Sequence, residues 1–114
     1  MSVVKACKTY GVERCVITSS TVAIFAGWTR KDPDYPEVMD ESVWSKLDGP
    51  GVHPYFKSKT LAEKAAWDYW ESLPVTERFE LVVINPGFIT GPSLCCGDGT
   101  SEKMIGGMVT GKMP

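Results

Sequence analysis

The sequence lacks a strong net charge, a long hydrophobic run and more than one histidine. Twelve Lys and Arg against fourteen Asp and Glu leave a formal charge of −2, so charge gives no case for nucleic acid or an anionic membrane surface as a partner. No apolar stretch is long enough to span a bilayer. Because His53 is the only histidine and no C-x-x-C motif occurs, zinc ligands at usable spacing are too few, and we expect no metal site.

The cysteines and the first residues both indicate a reducing environment. Cys95 and Cys96 are adjacent, whereas Cys7 and Cys15 have mostly apolar neighbours in the sequence. We therefore expect reduced, structural thiols. Lysines at positions 5 and 8 fall where a signal peptide would need its apolar block, so we expect a cytoplasmic location.

The pattern of apolar residues predicts an α/β protein. A chain of 114 residues with 43% hydrophobic content is enough for one modest domain, 1–114. The predicted elements, in chain order, are a helix 2–10, a strand 15–20, a long irregular segment 27–54, a helix 55–73, a strand 80–85 and a short helix 101–109.

This order of elements is that of a βαβ unit, which pairs its two strands in parallel. Both strands are continuously apolar, which is typical of a sheet covered on both faces. Two parallel strands cannot build that environment alone. We therefore expect the chain to form the central part of a Rossmann-type parallel sheet, an incomplete domain.

The clearest chemical motif is a Y-x-x-x-K at the start of the long helix. The spacing of Tyr55 and Lys59 places the phenol and the ammonium on one helical face. A neighbouring ammonium stabilises the phenolate, which a tyrosine needs to exchange a proton with a substrate hydroxyl near neutral pH. Taken alone the motif is common, and it also fits a solvated lysine beside a half-buried tyrosine.

Two further features lie where the predicted strands end. Ser20 closes the run TSS after the first strand, and Asn85 begins the turn NPG after the second. Parallel strands in α/β proteins place their ligands at this edge. A serine there can hydrogen-bond a carbonyl while the tyrosine protonates it, so the three features together predict a site.

Four segments resemble the extended short-chain dehydrogenase/reductases. They are 16–20 VITSS, 40–44 DESVW, 55–67 YFKSKTLAEKAAW and 84–93 INPGFITGPS. The match follows the family's order and approximate spacings through nearly the whole chain. It is most similar to the dihydroflavonol-reductase-like branch, which includes plant flavonoid reductases and fungal aldehyde or ketone reductases.

The resemblance implies a role for each of five residues. Tyr55 corresponds to the family's proton donor and acceptor, and Lys59 to its partner, which also holds the nicotinamide ribose. Ser20 corresponds to the serine that orients the substrate carbonyl. The backbone around Pro86 and Ile89 corresponds to the segment that contacts the nicotinamide carboxamide. The implied cofactor is NADP, with NAD possible, and the implied partner is a small carbonyl or alcohol compound.

The sequence also departs from the family pattern. The family's N-terminal glycine-rich cofactor loop and its C-terminal substrate region have no counterpart here, so we expect a central segment with an incomplete cofactor site. The leading hypothesis is an NADP-dependent carbonyl reductase. Two alternatives stay open: a sugar-nucleotide epimerase or hydroxysteroid-dehydrogenase-like enzyme of the same family, and a chain that is inactive by itself and at most binds a partner.

Overall fold

The computed structural model of the protein describes residues 2–91 and 99–112. Its elements, in chain order, are α1 (Ser2–Thr9), β1 (Arg14–Thr18), α2 (Val22–Phe25), α3 (Pro54–Glu71), a 3-10 turn (Val75–Glu77), β2 (Glu80–Ile84) and α4 (Thr100–Val109). The predicted helices and strands are all present, with ends shifted by one or two residues. No helix within the described ranges is long and apolar enough to cross a membrane.

The two strands form a parallel sheet. Their register runs from Arg14 opposite Glu80 to Thr18 opposite Ile84, with α2, the long segment and α3 between them in the chain. The βαβ arrangement predicted from the sequence is confirmed, and the described part of the chain is an α/β unit of the Rossmann type.

Helix α3 begins at a proline because the ring presets the backbone and the missing N–H has no partner in a first turn. Pro54 is its first residue, and the side chain of His53 caps it by accepting a hydrogen bond from the backbone N–H of Tyr55. The helix ends at Glu71, where the N–H of Ser72 bonds back to the last turn. Pro74, two residues later, cannot continue a helix.

The core lies on one face of the sheet, under α1 and α3. Its buried members are Val4, Cys7, Cys15, Ala66, Leu73, Phe79 and Leu81, with Ile17, Trp67, Tyr69 and Trp70 packed against them. The alternation of side chains along each strand sends every second residue to the opposite face. There Val16 and Ile84 are 54% and 52% exposed. The apolar runs in the sequence are typical of a sheet that is covered on both faces. Among the described residues, only one face of this sheet is covered.

Cys7 and Cys15 are buried free thiols in this core, as the sequence predicted. Burial raises the pKa of Cys15, with a smaller contribution from the neighbouring Cys7 thiol, so Cys15 stays protonated near neutral pH. The same expectation for Cys95 and Cys96 lies outside the described residues.

The long segment before α3 is held together by buried polar contacts. The hydroxyl of Ser45 donates to the carbonyl of Val22 at 2.7 Å and accepts from the N–H of Ala26 at 2.8 Å. These bonds attach the segment to α2, the short helix that the sequence did not predict. Helix α2 has only four residues, too few for a periodic pattern, and depends on these tertiary contacts.

A lysine organises the rest of this segment. The ammonium of Lys46 lies 4.0 Å from the ring centre of Trp28 and 2.9 Å from a carboxylate oxygen of Asp34. Its bond to Asp34 raises the pKa of Lys46 and lowers that of Asp34. The pKa of Asp32 is lowered mainly by the backbone N–H of Thr29, with Lys46 adding to the effect. Lys46 thus connects Trp28 with the acidic residues of the same segment.

Candidate active site

The carboxyl ends of the two strands lead into segments that run side by side. The N–H of Ser19 donates to the carbonyl of Ile84 at 2.8 Å, and the N–H of Thr21 donates to the carbonyl of Pro86 at 3.0 Å. The parallel register therefore brings the serines after β1 against the turn after β2. This is the edge at which the sequence predicted a site.

Helix α3 places Lys59 at the same edge. Its ammonium nitrogen lies 3.5 Å from the carbonyl oxygen of Thr18 and 3.4 Å from that of Ser19. Tyr55 stands one turn earlier on the same face of the helix. The positive charge of Lys59 thus lies over the carbonyls at the carboxyl end of β1.

A cavity of about 700 Å³ is lined by two of the five predicted site residues, and Lys59 is not among its lining residues. Ser20 and Tyr55 both line it, although they are separated by the whole long segment of the chain. Its other lining residues are mostly apolar or small: Thr21, Val22, Phe25, His53, Phe56, Gly87, Phe88, Thr100, Ser101 and Met104. A second depression, of about 600 Å³, lies beside Lys8 and Glu80, away from every predicted site residue.

The two serines at this edge are both buried. The hydroxyl of Ser20 accepts a long hydrogen bond, 3.4 Å, from the N–H of Val22, which leaves its own proton available to a ligand. The hydroxyl of Ser19 is buried without a hydrogen-bond partner in the part of the chain that is described. A buried hydroxyl without a partner costs free energy, so this edge holds unused hydrogen-bonding capacity.

The turn after β2 lines the cavity through the two residues that lie between Pro86 and Ile89. The backbone N–H and the hydroxyl of Thr21 both donate hydrogen bonds to the carbonyl of Pro86. Ile89 is 71% exposed. Neither lines the cavity, whereas Gly87 and Phe88 between them do. The cofactor-contacting roles of Pro86 and Ile89, like the catalytic roles of the other site residues, stay predictions.

The sequence reasoning missed a buried carboxylate beside the site. Glu63 is 8% exposed, and its carboxylate accepts a hydrogen bond of 2.8 Å from the side-chain amide of Asn85. The same amide nitrogen donates to the carbonyl of Ser20 at 3.1 Å. Glu63 stands one helical turn beyond Lys59 on the same face, and that spacing was the signal available in the sequence. The three groups tie α3 and both strand ends together.

The sequence pointed to His53 only as a possible zinc ligand. In the structure its Nδ1 accepts a hydrogen bond of 3.3 Å from the N–H of Tyr55, and the ring stands against Phe56, with centroids 6.2 Å apart. The residue also lines the cavity. The histidine therefore connects the cavity to the first turn of the helix that carries Tyr55.

The chain is similar in sequence to several curated oxidoreductases. It is 34% identical over 123 aligned residues to an uncharacterized oxidoreductase of Saccharomyces cerevisiae, covering 98% of this chain and 35% of that protein. An NADPH-dependent methylglyoxal reductase of the same yeast is 35% identical over 86 residues, which are 73% of this chain and 25% of that protein. Dihydroflavonol 4-reductase of Arabidopsis thaliana is 37% identical over 98 residues, 81% of this chain and 23% of that protein.

The chain spans about a third of the length of the first of these relatives and about a quarter of the other two. No protein-family model matches it. The similarity nevertheless covers nearly all of this chain and agrees with the parallel βαβ unit. The chain belongs to the extended short-chain dehydrogenase/reductase family of oxidoreductases, in its dihydroflavonol-reductase-like branch.

Proposed function

We propose that this protein acts as an NADPH-dependent reductase that converts an aldehyde or ketone to an alcohol. The observation that carries the proposal is the cavity shared by Ser20 and Tyr55, with the Lys59 ammonium fixed at the same sheet edge. The yeast methylglyoxal reductase and the plant dihydroflavonol reductase, both similar to this chain, are named as reductases.

Each of the three residues has a distinct task in this proposal. The hydroxyl of Tyr55 gives its proton to the carbonyl oxygen as that oxygen gains negative charge. Ser20 donates a hydrogen bond to the same oxygen, since its own acceptor bond to Val22 leaves its proton available. The charge of Lys59 stabilises the negative charge left on the phenol oxygen after the proton has moved.

The described residues fit the nicotinamide end of a dinucleotide. The ammonium of Lys59, a donor suited to a ribose hydroxyl, lies at this edge over the carbonyls of Thr18 and Ser19. When bound, the nicotinamide would supply the hydride for the carbonyl carbon. The sequence predicts no glycine-rich pyrophosphate loop within residues 1–114, and tight binding would require one.

The cavity walls favour a substrate with an apolar body. Phe25, Phe56, Phe88 and Met104 face the same space as Ser20 and Tyr55. Aromatic and thioether side chains bind flat apolar groups well, while the reacting oxygen needs the polar end. We propose that the reduced carbonyl is attached to an aromatic or extended aliphatic group.

The experiment is a single-atom deletion in the full-length protein. Tyr55→Phe removes the proposed proton donor and keeps the ring, so kcat for NADPH-dependent reduction of an aromatic aldehyde should fall by roughly two to four orders of magnitude. The matched control is Tyr10→Phe, because Tyr10 is 82% exposed and does not line the cavity. A folded Tyr55→Phe protein with near-normal kcat would refute the proposal.

Two further variants separate the other roles. Ser20→Ala should lower kcat by roughly one to three orders of magnitude, as expected for one donor to a developing oxyanion. Lys59→Ala should lower kcat and also raise the KM for NADPH, because its charge is proposed to serve both the phenol and the ribose. If Lys59→Ala changed neither, the lysine would only be satisfying the carbonyls of β1.

A further inference from the structure

His53 occupies an unusual position for a helix cap. Ser, Thr, Asp and Asn are the side chains that ordinarily accept the first free N–H groups of a helix. Here an imidazole does so, through the 3.3 Å bond from the N–H of Tyr55 to its Nδ1. A smaller cap would serve the helix equally well, so capping alone gives no reason for a ring that lines the cavity.

The capping bond fixes which nitrogen carries the proton. A neutral imidazole has one donor and one acceptor nitrogen. Because Nδ1 accepts from the backbone, the proton of the neutral ring is on Nε2. No group within residues 2–91 and 99–112 accepts a hydrogen bond from Nε2. His53 is exposed at the wall of the cavity that Tyr55 also lines, so its Nε2–H has no acceptor among the described residues and is open to solvent or to a ligand.

We propose that His53 is a specificity residue whose Nε2–H binds an oxygen acceptor of the substrate other than the carbonyl that is reduced. This inference rests on the proposed reductase function and adds a second polar contact to the same cavity. The apolar part of the wall, formed by Phe25, Phe56, Phe88 and Met104, offers no hydrogen bond, and the other polar side chains near it, such as Thr100 and Ser101, are hydroxyls. The substrate class is accordingly a carbonyl compound with a second carbonyl, ester or hydroxyl oxygen, carried on an apolar body.

The geometry couples this contact to the catalytic tyrosine. The imidazole of His53 accepts a hydrogen bond from the backbone N–H of Tyr55, and the ring also stands against Phe56. The donor is thus held to the helical turn that carries the tyrosine. A fixed donor discriminates between substrates with and without the matching acceptor, because a bound substrate lacking it leaves the donor unpaired.

The test uses two variants that separate capping from substrate binding. His53→Ser keeps a capping hydroxyl and removes the Nε2 donor, whereas His53→Ala removes both. Three probes share a phenyl group: 1-phenylpropan-2-one, 1-phenylpropane-1,2-dione and ethyl benzoylacetate. Only the second and third carry an additional oxygen acceptor. Each variant is compared with the wild type for every probe, so intrinsic differences in probe reactivity cancel.

In His53→Ser, kcat/KM should fall about three- to tenfold more for at least one of the two oxygenated probes than for the simple ketone, mainly through KM. His53→Ala should show the same discrimination together with lower thermal stability. If His53→Ser shows no difference between the probes, the residue is a cap only and the inference is wrong.

A second readout does not require turnover. Isotope labelling of histidine, with the His53 signal assigned by its loss in His53→Ser, identifies the imidazole of His53 in the NMR spectrum of a Tyr55→Phe protein. Its nitrogen shifts should show protonated Nε2, and adding the dione with NADP⁺ should shift Nε2 more than adding the simple ketone. Equal shifts would overturn the inference. Shifts as expected without any reductase activity in the wild type would instead refute the proposed function and leave the binding contact standing.

Discussion

Replacing Asn85 by Asp should lower the free energy of unfolding more than this small chemical change suggests. The side-chain amide of Asn85 donates to the buried carboxylate of Glu63 at 2.8 Å and to the carbonyl of Ser20 at 3.1 Å. In Asn85→Asp a carboxylate oxygen replaces the donor, so it faces a second carboxylate and a carbonyl oxygen at these distances.

The expected cost follows from the two lost bonds. A hydrogen bond to a charged group contributes about 2 kcal/mol and a neutral one about 1 kcal/mol, so the free energy of unfolding should fall by about 3 kcal/mol. Repulsion between the two buried carboxylates adds to this at neutral pH. Glu63→Gln should cost only about 1 kcal/mol, because the amide oxygen of the new side chain still accepts from Asn85.

The double variant Glu63→Gln with Asn85→Asp provides the control. Its new amide can donate to the new carboxylate, which restores the bond in the reverse direction and leaves only the carbonyl of Ser20 without its side-chain donor. That carbonyl keeps the N–H of Ala23 at 2.9 Å. The double variant should therefore be more stable than Asn85→Asp alone, with a coupling energy of about 2 kcal/mol.

Urea unfolding followed by tryptophan fluorescence measures these differences, since Trp67 and Trp70 lie on α3. The reasoning is refuted if Asn85→Asp costs less than about 1 kcal/mol. It is also refuted if the double variant is no more stable than the Asn85→Asp protein, because the amide would then not be bonded to the carboxylate in solution.

Three further predictions concern the segment before α3. Gly27→Ala should lower the free energy of unfolding in urea by about 3 kcal/mol or more, because Gly27 has a φ of +78° and a Cβ there would collide with backbone. The control is Gly51→Ala, which has a φ of +71° but open space around the Cβ position, and it should cost about 1 kcal/mol. Ser45→Ala should lower the free energy of unfolding by roughly 2 kcal/mol, since a buried N–H and a buried carbonyl lose their partner; a thermal melt unchanged from wild type would contradict this. The pKa values of Asp32 and Asp34 lie below their usual 3.8 in the folded protein. Their contribution to stability is therefore present above that pH and should be lost only as the pH falls below it. If the stability that Asp32→Asn and Asp34→Asn remove were already lost by the wild type at pH 6 in an acid titration, this prediction would be wrong.

The sequence by itself determined the elements whose signals are local. Apolar runs marked both strands, and a proline at each end marked α3, because strand burial and helix termination act over a few neighbouring residues. The same periodicity placed Tyr55 and Lys59 on one face. The rule that parallel strands present their carboxyl ends together put Ser20 at the same edge.

The tertiary structure alone decided the contacts between residues far apart in the chain. The amide of Asn85 meets Glu63 across 22 residues and Ser20 across 65, and no local pattern specifies which distant side chain satisfies a buried carboxylate. The four-residue helix α2 depends on Ser45 in the same way. Which of the two sheet faces is covered was also decided by the tertiary structure, because the residue type of an apolar strand position does not show whether a neighbouring element packs over it.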